Sequence, residues 1–187
     1  MSGGLNLVYF LVGKGFEETE LIAPVDILRR GGVEVQTVGI GGTEIEGAHG
    51  VTIRTDTTVE KIDDGKLEMI VLPGGMGGVT AIRGSAAAIR ALRAAHTGGK
   101  FVAAICAGPT VLAELGITDG KKAVCYPGME SEMGAAEMID ADAVRDGKLI
   151  CGRAPGAALD FGLLLLETLK GKDTAETVRR GLVYEKR

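Results

Sequence analysis

The chemistry of this chain centres on the stretch KFVAAICAGPTVLAELG, residues 100–116. A short apolar run leads into Cys106, and Ala107-Gly108-Pro109 opens a helical pattern. A residue placed between a strand and a helix, among small neighbours, has the geometry of a nucleophile elbow. Ala104, Ala107 and Gly108 let the chain turn tightly, and Pro109 suits the first turn of a helix. A thiol at a helix start meets the partial positive charge of unpaired N–H groups, which favours a thiolate. A free thiol titrates near pH ~8.5, and such a place is expected to lower that value. The competing role is that of a buried packing cysteine.

Two other segments carry groups suited to the same chemistry. In EETE, Glu17 and Glu18 fit the first turn of a helix, where carboxylates complement the dipole. Glu20 differs, because Pro24 four residues later cannot donate a hydrogen bond to its carbonyl. Glu20 shares a helix flank with Pro24 and Ile27, which suggests a half-buried carboxyl with a raised pKa. That position alone does not separate a site residue from a structural one. The PGGMGG loop, Pro73 to Gly78, offers backbone N–H groups to an anion or a developing oxyanion, or serves simply as a strand-end loop.

Other chemistries fail on spacing. GKGFEE has Gly13 and Gly15, but Glu18 stands where a dinucleotide fingerprint needs its third glycine, and glutamates repel a pyrophosphate. The two histidines, His49 and His96, follow no strand end near Cys106, so no Cys–His dyad is expected. His96 suits the end of its helix, and His49 reads as a surface residue of a ribbon. Cys125 and Cys151 read as packing cysteines. Three cysteines without metal-ligand spacing describe neither a disulfide framework nor a structural zinc site.

The elements that must position these groups follow from periodicity. LNLVYFLV (5–12), LEMIVL (67–72) and KFVAAI (100–105) are continuous apolar runs, as in strands covered on both faces. VEVQTVGI (33–40) and KLICG (148–152) are further strands, KKAVCYP suggests a short one, and TEIEGAHGVTIRTD suggests a β-ribbon. Helical patterns follow the first run, then span AAAIRALRAAH behind Ser85 as N-cap, PTVLAEL, and PGAALDFGLLLLETLKG. DTAE at 173–176 resembles a capping box for a last helix, and residues 128–142 hold a short helix and irregular chain. Strands alternating with helices imply a mostly parallel sheet with helices on both faces and its site at the carboxyl ends of the strands. The 187 residues suit a single domain, 1–187. A net charge of −4 without a basic stripe argues against nucleic acid. No apolar run is long enough for a bilayer, so a soluble cytoplasmic protein is expected.

GFEETELIAPVDILRRGG, IVLPGGMGG, AAICAGPTVLAELG and APGAALDFGLLLLETLKGK together resemble the ThiJ/PfpI superfamily, nearly end to end and in order. The likeness is to the branch of the Parkinson-disease-associated protein deglycase and bacterial ThiJ relatives. It implies a flavodoxin-like three-layer α/β sandwich and a homodimer. It implies that Cys106 is the reactive cysteine and that Glu20 is its protonated carboxyl partner. It also implies that the backbone amides of Gly74, Gly75 and Ala107 face the substrate oxygen. The implied activity is a glyoxalase or protein deglycase acting without a cofactor. Its substrates are methylglyoxal, glyoxal or their early adducts on protein side chains. The alternative is an oxidative-stress sensor or redox-regulated chaperone that uses oxidation of the same cysteine. Ala107 stands where the protease-like branch has a histidine, which disfavours a Cys–His peptidase. Tyr126 stands where several relatives carry a histidine, and tyrosine is a poor base at neutral pH. His49 replaces an arginine that lines an anion site in animal relatives, and Arg30 matches a second one.

Overall fold

The computed structural model describes residues 7–185. Strand β1 (Leu7–Val12) is buried at every position, as its unbroken apolar run requires. Leu5 and Asn6, which the sequence reading adds to this strand, lie outside the described residues. Helix α1 (Glu18–Arg30) runs on through Pro24, and β2 (Val35–Gly39) returns parallel to β1. The ribbon is formed by β3 (Glu44–Glu46) and β4 (Thr52–Arg54), and β5 (Thr57–Thr58) ends the sheet beside β2. Next come β6 (Leu67–Leu72), α2 (Met76–Gly84), α3 (Ala86–Thr97), β7 (Phe101–Ile105) and α4 (Gly108–Glu114). The two-residue strands β8 (Lys122–Ala123) and β9 (Glu137–Met138) pair with each other. Then β10 (Ala143–Asp146) and β11 (Leu149–Gly152) lead to α5 (Ala158–Lys170) and α6 (Lys172–Gly181).

The main sheet has seven strands in the order β10-β11-β7-β6-β1-β2-β5. Every pairing in it is parallel except β10 with β11. The path from β1 through α1 to β2 steps one way along the sheet, and the path from β6 to β7 steps the other way. Right-handed crossovers therefore put α1 and α2–α3 on opposite faces, which gives a flavodoxin-like α/β fold. Helix α5 joins α1, and α6 packs on α5. Strand order reverses between β1 and β6, and the crevice at such a switch point is where open α/β sheets hold their sites.

Two local readings are corrected. Residues 76–78 were expected in a loop, yet they begin α2. Gly77 and Gly78 discourage a helix in isolation, but here they let α2 lie against the β1–α1 loop. A Cβ on Gly77 would come within 2.8 Å of the Lys14 carbonyl oxygen, and one on Gly78 within 2.9 Å of Phe16 Cα. The expected capping box at 173–176 does not form: α6 starts two residues earlier, with Gly171 rather than Asp173 as N-cap and no side-chain cap. Ser85 does cap α3, its hydroxyl accepting from the Ala88 N–H at 3.2 Å.

Candidate active site

Three strand ends meet at the switch point: the loop after β1 that leads to Glu20, the Pro73–Gly78 segment after β6, and Cys106 after β7. Cys106 has φ 65°, one of two non-glycine residues with positive φ among the described residues. This left-handed conformation costs about 1–3 kcal/mol and persists only where its surroundings hold it. Both sides of the Cys106 backbone are held. Its N–H donates to the Gly152 carbonyl at 3.0 Å, and its carbonyl accepts from the Tyr126 N–H at 2.9 Å. The result is the elbow read from the sequence, with the thiol turned off the end of β7 and only 9% of the residue exposed.

Glu20 reaches the same point from the first turn of α1 and is fully buried. Its Oε2 accepts from the Gly74 N–H at 2.7 Å. Its Oε1 is buried and has no hydrogen-bond partner of good geometry. The Cys106 thiol is the side chain that bears on this carboxyl. Burial pushes Glu20 up to about 7, with hydrogen bonds accepted from the Cys106 thiol and the Gly74 N–H pulling the other way and the Glu17 charge adding to the rise. Gly74 is required between the two side chains, because a Cβ there would overlap Glu20 Oε2 and come within 2.7 Å of Cys106 Cβ.

The thiol corrects one expectation. Beside an ionised Glu20, burial first and then that charge push Cys106 up to about 12, against the Ala107 and Gly75 N–H groups that lower it. Helix α4 is only seven residues long, so its start carries fewer aligned peptide dipoles than a full helix would. The helix start alone does not make the thiolate. Placing the proton on Glu20 removes the negative neighbour and supplies an O–H donor. The two groups thus titrate as a pair, and a thiolate is favoured here only while the proton sits on Glu20.

The remaining candidates divide. The Gly75 and Ala107 N–H groups bear on the sulfur, but Gly74 does not face an incoming oxygen, because its N–H is spent on Glu20. Tyr126 adjoins Cys106 through the main chain, with 46% of the residue exposed. His49 lies over the start of α1: its N–H donates to Glu18 Oε1 at 2.7 Å, and its Nδ1 lies 2.9 Å from Glu18 Oε2. It is a surface histidine, as read, that also anchors the ribbon on α1. The hydrogen bond to Glu18, then the Glu17 and Glu18 charges, raise its pKa. Burial alone would raise Glu18, but hydrogen bonds from the His49 ring, its own backbone and the His49 and Val51 N–H groups hold it at about 2. The donor atoms of Glu17, Glu18 and His49 lie within 4.8 Å of one another, so this trio is where a cation could sit. Arg30 is not brought to the site within one chain. It ends α1, ten residues or roughly 15 Å along the helix from Glu20, with Nε donating to Asp26 at 2.7 Å.

Sequence reasoning missed Gly152, whose carbonyl fastens the Cys106 N–H. The available signal was its place at the end of KLICG, a strand that parallel pairing sets beside β7.

Residues 6–168 match the DJ-1/PfpI family. The chain is 38% identical over 176 residues to protein dj-1beta of Drosophila melanogaster, covering 92% of this chain and 94% of that one. The crystal structure of that fly protein is similar with TM-score 0.91 and 35% identity, over 97% of this chain and 99% of its own. A deglycase of Pyrococcus horikoshii is 35% identical over 150 residues, 79% of this chain and 90% of the relative. The structure of oxidised Toxoplasma gondii DJ-1 has TM-score 0.92 at 31% identity, covering 96% of this chain and 99% of that one.

Proposed function

The chain belongs to the DJ-1/PfpI family, and we propose that it is a cysteine-dependent glyoxalase or protein deglycase acting without a cofactor. The observation that carries this reading is the fully buried Glu20 carboxyl, held by the Gly74 N–H at 2.7 Å beside Cys106, where burial pushes it up to about 7. A carboxyl that exchanges its proton near neutrality next to a nucleophile is equipped for general acid and base work. The Cys106 thiolate adds to the aldehyde carbon of methylglyoxal, and the carbonyl oxygen takes the Glu20 proton. The product is a hemithioacetal. The Glu20 carboxylate then removes the proton from the carbon bearing sulfur and returns it to the neighbouring carbon. This internal transfer oxidises one carbon, reduces the other and leaves a lactoyl thioester on Cys106. Water cleaves that thioester to lactate and regenerates the thiol, so methylglyoxal plus water balances lactic acid. The Gly75 and Ala107 N–H groups are the donors available to the developing oxyanion. An early adduct on a protein side chain enters at the hemithioacetal stage, with the amine or thiol as leaving group. The name of the Pyrococcus relative supports the same class.

Lactate release from methylglyoxal by wild type, Cys106→Ser and Glu20→Gln tests this reading. Loss in both variants is expected, and equal rates in all three would refute it. The reading extends to a homodimer in the cytoplasm, taking small aldehydes or glycated side chains rather than nucleic acid or membrane. Among the described residues no helix is long and apolar enough to cross a membrane.

A second reading uses the same groups without turnover. Peroxide oxidises Cys106 to a sulfinic acid, whose oxygens the Glu20 proton and the Gly75 and Ala107 N–H groups would hold. The oxidised Toxoplasma structure favours keeping this reading. Peptide masses after a mild peroxide titration should show two oxygens on Cys106 first. Uptake at Cys125 or Cys151 ahead of Cys106 would overturn it.

A further inference from the structure

Arg83 belongs to none of the segments that carry the family likeness, yet it is wired to the elbow. It lies near the end of α2 with its side chain 27% exposed. Its Nη2 donates to Thr110 Oγ1 at 2.8 Å, and Thr110 is fully buried. A guanidinium only donates, so the Thr110 hydroxyl must spend its own proton elsewhere. It does so on the Ala107 carbonyl, at 2.7 Å. The Thr110 N–H reaches the same carbonyl at 3.2 Å. Ala107 is the residue whose N–H bears on the Cys106 sulfur. An unbroken chain of donors therefore runs from Arg83 through Thr110 to the residue behind the nucleophile. The same Nη2 lies 2.7 Å from Glu114 and 4.0 Å from Glu132. Those carboxylates offset part of the guanidinium charge, and the hydrogen bond to Thr110 is its link toward the elbow. Helix α4 has only seven residues, and few hydrogen bonds of its own hold its start.

We infer that Arg83 is a positioning residue for the Cys106 site, acting through Thr110 to fix the Ala107 carbonyl and so the orientation of Ala107, whose N–H, one peptide unit back, serves the sulfur. This rests on the proposed cysteine chemistry only in that Cys106 is the reacting group. The Thr110 hydroxyl is oriented by a cationic donor on one side and commits its proton to the Ala107 carbonyl on the other. Hydrogen bonds in such a chain strengthen one another.

The test reads Cys106 itself, by the rate of iodoacetamide alkylation at neutral pH followed by peptide mass. Arg83→Met keeps the apolar stem and removes the donor. It is expected to slow alkylation about three- to tenfold, the worth of one hydrogen bond. Arg83→Lys, which still donates to Thr110, should recover most of that loss. Thr110→Val should slow the reaction to the same degree as Arg83→Met, Thr110→Ser should not, and the double variant should be no slower than either single one. Glu114→Gln breaks the ion pair but leaves the chain of donors intact, so it should alkylate at the wild-type rate. Additive losses in the double variant, or a loss in Glu114→Gln matching that in Arg83→Met, would show that the ion pair merely steadies α4 and would overturn the inference. If wild type releases no lactate while these alkylation differences stand, the glyoxalase reading fails and the positioning role does not. Lactate kinetics, where turnover is seen, should show the Arg83→Met loss in kcat with KM little changed.

Discussion

The Glu20→Gln variant gives the most direct measurement of what burial does to the carboxyl. Folding moves this group from an ordinary value of 4.5 to about 7. A carboxyl whose folded pKa is raised favours the folded state fully below its unfolded value. That contribution is lost as pH rises through the folded value. The shift of roughly 2.5 pH units corresponds to about 3 kcal/mol, lost between about pH 4.5 and pH 7. Glutamine keeps the size, still accepts from the Gly74 N–H, still offers a donor to the sulfur, and does not titrate. Urea unfolding of wild type and variant at about pH 5 and about pH 8 should therefore diverge. The wild type should lose about 3 kcal/mol more than the variant over that range, since every other titrating group is common to both. Parallel stability profiles would refute the claim that Glu20 is buried and holds its proton. The same variant should keep a reactive Cys106, because no negative neighbour remains. It should still lose turnover by about 10²–10⁴-fold, the usual worth of a positioned acid–base group.

Three further outcomes follow from the same geometry. Gly74→Ala forces a methyl between Glu20 and Cys106, and should lower stability by about 1–3 kcal/mol in denaturant unfolding and abolish lactate release. His49→Ala removes the ring donor, the largest of the hydrogen bonds that hold Glu18 near 2, so the Glu18 carboxyl should titrate closer to its ordinary value by NMR; an unchanged value would mean the backbone donors suffice. Cys125→Ser and Cys151→Ser should leave Cys106 alkylation at the wild-type rate, and a slowing in either would show that these cysteines do more than pack.

The strand and helix alternation, the β-ribbon, the Ser85 cap and the elbow at Cys106 were legible because each depends on neighbours within a few residues. Periodicity, capping chemistry and the sterics of small residues beside a turn are local rules. The start of α2 was not legible, because Gly77 and Gly78 weaken a helix locally and are paid back only by contact with the Lys14–Phe16 segment. The role of Gly74 was misplaced for the same reason: its N–H is free in sequence and engaged by Glu20 in space.

By itself, then, the sequence determined a parallel α/β sheet and a cysteine thrown off a strand end at a sharp turn. It set Glu20 apart from Glu17 and Glu18 by its flank with Pro24 and Ile27, without separating a site residue from a structural one. The tertiary structure decided which acid mattered, because the reversal of strand order brings the loops after β1 and β6 to the end of β7. It closed Glu20 away from water against Gly74 and Cys106, while Glu17 and Glu18 stayed at the rim with His49. Burial raises one carboxyl to about 7, while hydrogen bonds from His49 and the backbone hold another, only two positions away, at about 2. Desolvation is a property of everything packed around a group, so a helix flank could suggest a buried carboxyl but not how completely the fold would close it off.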